Sequence, residues 1–212
     1  MKKSIKRSVW MYIAATIGSS LFFCATVNMG IASIRAAQEK SRNIDNIWER
    51  AQAAEVAHYK WSSQLSSALY EGTEFTGSTD PTTCGLGQWI YGEFGSDDEA
   101  LLALRNELEP MHKAMHESAV HVLSLLETDP EAAQEYYHSV IQGNVDSLVK
   151  KLDMVIERTH ELSTQSVEEI NSAIVLMQVL AILCFILSLV CLLSLVPVSY
   201  THLRAHETTL HL

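Results

Sequence analysis

Two long apolar runs set the first constraint on this chain. Val9 to Ile34 passes 26 residues without a charge, and Ala173 to Val196 passes another 24 in which Gln178 is the one strongly polar side chain. As helices rising about 1.5 Å per residue, both are long enough to cross the roughly 30 Å hydrocarbon layer of a bilayer. A cleavable signal peptide carries an apolar core of only about 7 to 15 residues, so the length of the first run predicts an uncleaved anchor. The chain divides accordingly into an N-terminus (1–8), a first span (9–34), a polar segment (35–172), a second span (173–196) and a tail (197–212).

Lys2, Lys3, Lys6 and Arg7 stand directly before the first span. A basic cluster there is held in the cytoplasm, which predicts a multi-pass membrane protein with residues 35–172 outside. That segment carries 10 Lys and Arg against 24 Asp and Glu, a net of −14, within a chain of net charge −10. Phosphate would repel such a surface, so nucleic acid is excluded as a partner.

Within 35–172 the pattern is helical. Ile44, Ile47, Ala51, Ala54, His58, Trp61, Leu65 and Ala68 recur at steps of three and four, which predicts that the first span continues as one helix to about Tyr70. "EGTEFTGSTDPTTCGLGQW" then breaks the period with Gly72, Gly77, Pro81, Gly85 and Gly87, a loop opening into a short helix. A second long helix is expected after Ser96 or Asp97 as cap, with Leu101, Leu104, Leu108, His112, Met115, Ala119, Val122 and Leu126 as its seam and Pro110 as a point of kinking or division. Asp129 and Pro130 read as the N-cap and first position of a third helix. Its seam is Tyr137, Ile141, Leu148, Leu152, Val155 and Leu162, with Gly143 a weak point rather than a stop. The expected fold class is all-α, an antiparallel up-and-down helical bundle flanked by two transmembrane helices.

Cys24, Cys184 and Cys191 fall inside the apolar runs, which leaves Cys84 alone in the polar segment. No disulfide framework can form there, so Cys84 is a packed thiol, a reactive thiol or a metal ligand. His58 and His112 occupy seam positions on two helices, and His116 follows His112 by one turn, so that pair shares a face. A lone core histidine is ordinarily structural. Three histidines with one thiolate, however, make a full tetrahedral shell for Zn2+.

"HYKW", "FTGSTDPTTCGLGQWIYG" and "HKAMH" together resemble the chemoreceptor zinc-binding domain, over about Ile44 to Leu126. The resemblance implies His58, Cys84, His112 and His116 as zinc ligands, with Gly87 and Trp89 as framework. Gly87 would allow a tight turn after the thiolate, and Trp89 would pack an apolar wall of the site. Many members of that family carry the domain in the cytoplasm. Its place here, between two spans, resembles instead the sensory half of methyl-accepting chemotaxis proteins.

"HKAMH" differs from the H-E-x-x-H of zinc proteases in having Lys113 where the general base would stand, and a four-ligand shell leaves no position for water, so no enzyme is expected. His121, His138 and His160 belong to no cluster and read as solvated helix residues.

From Val198 to Thr208, "VSYTHLRAHET" coincides with a reading frame of a transposase adapter used in sequencing libraries. The tail is expected to be adapter-derived, and its histidines are left out of the metal count. The natural chain is expected to continue past Pro197 into a cytoplasmic output region. The leading functional expectation is the sensory half of a chemoreceptor, binding zinc, seated in the membrane as a homodimer. It would reach a chemotaxis kinase and coupling protein only through that absent region. The alternatives are the sensor half of a membrane diguanylate cyclase or histidine kinase, and a membrane-anchored zinc carrier or structural protein.

Overall fold

In the computed structural model, residues 2–210 are described, with side chains for Arg7 and for 9–194. The adapter-like tail lies outside the described side chains. The chain forms α1 (Lys2–Glu71), α2 (Gly85–Tyr91), α3 (Glu99–Thr128), α4 (Pro130–Tyr136), a π-helical turn (Tyr137–Ile141) and α5 (Gln142–Leu210), with no strand among the described residues. It separates into two compact units, Met1–Gln38 with Val167–Leu212, and Glu39–Ser166.

The first unit holds both apolar runs, in two helices long and apolar enough to cross a membrane. Leu21, Phe22, Phe185 and Leu193 are exposed there, which in water would be a costly surface and in hydrocarbon is none. Ser19 Oγ meets Ser188 Oγ at 3.1 Å. A Cβ added to Gly30 would fall 2.0 Å from Met177 Sδ, so the thioether side chain packs directly over the glycine.

In the second unit the α1 seam from Ile44 to Ala68 is buried throughout, and so is the α3 seam from Leu101 to Val122. Tyr137 Oη donates to the Ser62 carbonyl at 3.1 Å and Gln134 Nε2 to the Leu69 carbonyl at 3.4 Å, so numbers rise on one side as they fall on the other. Asn144 with Ser118 and Arg158 with Asp98 show the same reversal between α5 and α3. Since the continuous helical stretch from α4 through the π-helical turn into α5 opposes both, α1 and α3 run the same way. Residues 72–98 must therefore carry the chain back between them, and that return leg is mostly loop.

Three expectations need correction. The cap of α3 is Asp98, whose Oδ1 accepts from Leu101 N–H at 3.0 Å; Ser96 Oγ instead accepts from Asp98 N–H at 3.1 Å. Asp98 is favoured because Arg158 holds its carboxylate in place with two N–H groups, at 3.2 and 2.8 Å. Pro110 lies within α3 on its exposed face and does not divide it. Asp129 does cap α4, accepting from Ala132 N–H at 3.1 Å, with Pro130 at the first helical position. Gly143 does not stop the chain's helical path, but the third helix expected from Pro130 is interrupted by the π-helical turn Tyr137–Ile141, and α5 resumes at Gln142.

Candidate metal centre

The return leg is what builds the site. Asp80 closes a turn by accepting from Thr82 N–H at 2.8 Å and Thr82 Oγ1 at 2.7 Å, while Ser78 and Thr83 share a hydroxyl contact at 2.7 Å. This self-organised loop is pinned to both neighbouring helices through one atom. The Ser78 carbonyl accepts from Trp61 Nε1–H of α1 at 2.8 Å and makes a 3.0 Å contact with His116 Nδ1 of α3. At the loop's end Cys84 caps α2 from an extended conformation, its Sγ accepting from Gly87 N–H at 3.3 Å. Gly87 must be glycine for a different reason from helix entry alone: an added Cβ would lie 1.7 Å from the Pro81 carbonyl oxygen.

His58 comes from α1, Cys84 from the start of α2, and His112 and His116 from successive turns of α3. Their ligand atoms all lie within 4.8 Å of one another. His112 Nε2 is 3.1 Å from Cys84 Sγ and 3.0 Å from His116 Nε2. The three rings stand nearly perpendicular to each other, at 82°, 84° and 87°. Thus all four residues singled out in the sequence converge, while His121, His138 and His160 are exposed and apart.

Burial sets the protonation of this cluster. It lowers the His112 pKa to about 3, with help from neighbouring His116 and His58. It lowers His116 to about 4, again by burial first and then by His58, against the opposing Ser78 carbonyl. His58 is lowered by burial too, partly offset by the Ala54 carbonyl. The imidazoles are therefore neutral near pH 7, with lone pairs available. Burial pushes the Cys84 thiol up despite the Gly87 and Leu86 N–H groups, so its deprotonation calls for a cation nearby.

The donor set fits zinc. Nδ1 of His58 is engaged by the Ala54 carbonyl at 2.7 Å and Nδ1 of His116 by Ser78, which places their protons on Nδ1 and leaves Nε2 bare. Nδ1 of His112 has no partner among the described residues, so its one strong opportunity is Nε2, between a sulfur and a second Nε2. Zinc–nitrogen bonds of about 2.0–2.1 Å and zinc–sulfur bonds of about 2.3 Å in a tetrahedron place ligand atoms roughly 3.3–3.6 Å apart. Contacts of 3.0 and 3.1 Å inside a 4.8 Å cluster bracket that spacing.

Residues 58–123 match the family model of the chemoreceptor zinc-binding domain. No curated protein and no solved structure matches the chain. The matched segment begins at His58 and takes in Cys84, His112 and His116, so zinc is the metal to which family and donor set both point.

Around this zinc-binding segment, two participants were not foreseen in the sequence. They are the carbonyls of Ala54 and Ser78, main-chain atoms that no residue type advertises. Trp61, one turn beyond His58, was the visible trace of the second, since most buried tryptophans find an acceptor for their N–H, although Trp89 does not among the described residues. Trp89 is buried and stacks on Phe94 at 5.1 Å, while Leu86 and Trp61 border the open side of the ligand cluster.

Proposed function

We propose that this chain is the zinc-binding sensory half of a bacterial transmembrane chemoreceptor, with His58, Cys84, His112 and His116 as the ligands and the segment between the spans outside the cytoplasm. The observation that carries the reading is the convergence of one sulfur and three imidazoles within 4.8 Å, inside a segment matching the chemoreceptor zinc-binding family. The basic N-terminal cluster and the two apolar runs support the orientation. The ectodomain is read as an up-and-down bundle whose second leg is the loop together with α2.

Bound zinc would supply the positive charge that stabilises the Cys84 thiolate and a four-way cross-link between the loop, α1 and α3. The residues do the rest. The Ala54 and Ser78 carbonyls orient His58 and His116 with Nε2 inward, and Gly87 N–H holds Cys84 Sγ toward them. Zinc level or the oxidation state of Cys84 is the signal, since either decides whether the Cys84 end of the loop is tied to both helices in addition to the Ser78 contacts. Arg158, bonded to the cap of α3 from α5, joins the zinc-bearing helix to the helix that contains the second apolar run.

The test is elemental analysis of the full chain purified in detergent without chelator, with about one zinc per chain expected from a single four-ligand site. Cys84→Ala should lose it and His138→Ala should keep it. Zinc-free wild-type protein would end the metal reading. Orientation is tested separately by placing a cysteine at Ser139 and labelling intact cells; labelling only after lysis would invert the topology.

A further inference from the structure

The ligand cluster is open on one side. His58, Cys84 and His116 line a cleft of about 340 Å³, at the small end of ligand-sized cavities; the three histidines are buried and Cys84 is the part-exposed member of the cluster. The cleft walls are small and apolar, with Ala53 and Ala57 from α1 facing Leu86 from α2. At its edge stands Arg50, the one charged side chain of the lining; no Asp or Glu lines it.

That composition runs against the background. The polar segment carries 24 acidic against 10 basic residues, yet this concavity has a cation and no carboxylate. Arg50 donates through Nε to Asn46 Oδ1 at 2.8 Å, and among the described residues no carboxylate pairs with its guanidinium. Glu93 shares an adjoining hollow with Arg50 without pairing to it. Asp80, the acidic group nearest the histidines, has its Oδ1 engaged by Thr82 and lies outside the lining.

An arginine beside alanine walls suits a ligand that is anionic at one end and apolar along its body. An inorganic anion would leave the alanines facing water, and a neutral apolar molecule would leave the guanidinium unmatched. We propose that the cleft binds a small organic monocarboxylate, its carboxylate on Arg50 and its apolar chain along Ala53 and Ala57. The occupant lies against the cleft walls formed by His58, Cys84 and His116, so it covers the part-exposed Cys84. The proposal goes beyond the zinc reading, because the acid is held by residues that are not ligands.

The experiment uses the full chain in detergent, its zinc content measured alongside, and saturation-transfer NMR with sodium butyrate and with butyramide as the neutral isostere. Butyrate should show saturable binding and butyramide none. Arg50→Gln, an exposed change, should weaken butyrate by about tenfold or more, the loss of a hydrogen bond to a charged group. Ala57→Leu should fill the cleft and abolish binding, with zinc content unchanged in both variants. Zinc-loaded protein that ignores butyrate, equal binding by Arg50→Gln, or equal binding of butyramide each overturns the proposal. Butyrate binding to protein that carries no zinc would uphold the cleft and remove the zinc reading instead.

Discussion

One turn apart on the buried face of α1 stand two polar residues with different fates. Ser62 meets Tyr137 from the far side of the bundle, and the tyrosine hydroxyl lies 3.1 Å from both the Ser62 carbonyl and its hydroxyl. His58 meets His112, His116 and Cys84, where unprotonated nitrogens and a sulfur face one another. The first cluster matches donors to acceptors within the protein. The second gathers imidazole nitrogens and a sulfur around one point, with more lone pairs than the Cys84 S–H and a His112 N–H can serve. Buried polar groups that satisfy each other specify packing, whereas those that converge with lone pairs inward specify an ion.

The largest effect expected from this contrast is on metal removal. Structural zinc in small peptides is worth on the order of 10 kcal/mol, so chelation should destabilise the full chain by at least about 3 kcal/mol, roughly 10 °C in unfolding midpoint. His112→Ala should reproduce the loss and abolish the response to chelator. Thermal unfolding followed with and without chelator decides this, and indifference to chelator would reduce the histidine cluster to the same status as Ser62 and Tyr137.

Acid should separate the clusters next. His112 and His116 sit near pKa 3 and 4 when folded, against about 6.5 unfolded, so between those limits the unfolded chain binds more protons. The stability associated with neutral imidazoles is therefore present above about pH 6.5 and is lost as pH falls toward 4, by up to about 1.4 kcal/mol per pH unit for each such proton. Denaturant unfolding of the chelated chain at pH 7 and pH 5 should show the drop. His112→Ala with His116→Ala should flatten it; a slope unchanged in that variant would assign it elsewhere.

Gly87→Ala tests the loop, because its new Cβ would have to displace the Pro81 carbonyl and with it the approach of Cys84. Zinc affinity should fall by about tenfold or more, comparable to disturbing an outer-shell partner. Competition against a chromophoric chelator measures it, and wild-type affinity would show that the turn can yield.

The smallest change belongs to the satisfied cluster. Tyr137→Phe should cost about 1 kcal/mol, the ordinary loss of a buried hydrogen bond, with zinc content and chelator response untouched. A loss of zinc in that variant would mean the two clusters are coupled along α1.

Local periodicity determined much of this protein. Steps of three and four placed His58, His112 and His116 on buried seams, and the length of the apolar runs marked two potential spans, because both properties belong to a single helix. Cys84 stood out by exclusion, as the cysteine left outside those runs. Tertiary structure decided what no period encodes. Residues 72–84 run back between two parallel helices, bring Cys84 Sγ to His112, and present the Ser78 carbonyl to Trp61 and His116. Asp98 is the cap of α3 because Arg158, sixty residues later, fixes its carboxylate. A helix face follows from residues a turn apart, but the path of a loop and the partner of a carbonyl follow from which distant side chains arrive to satisfy them.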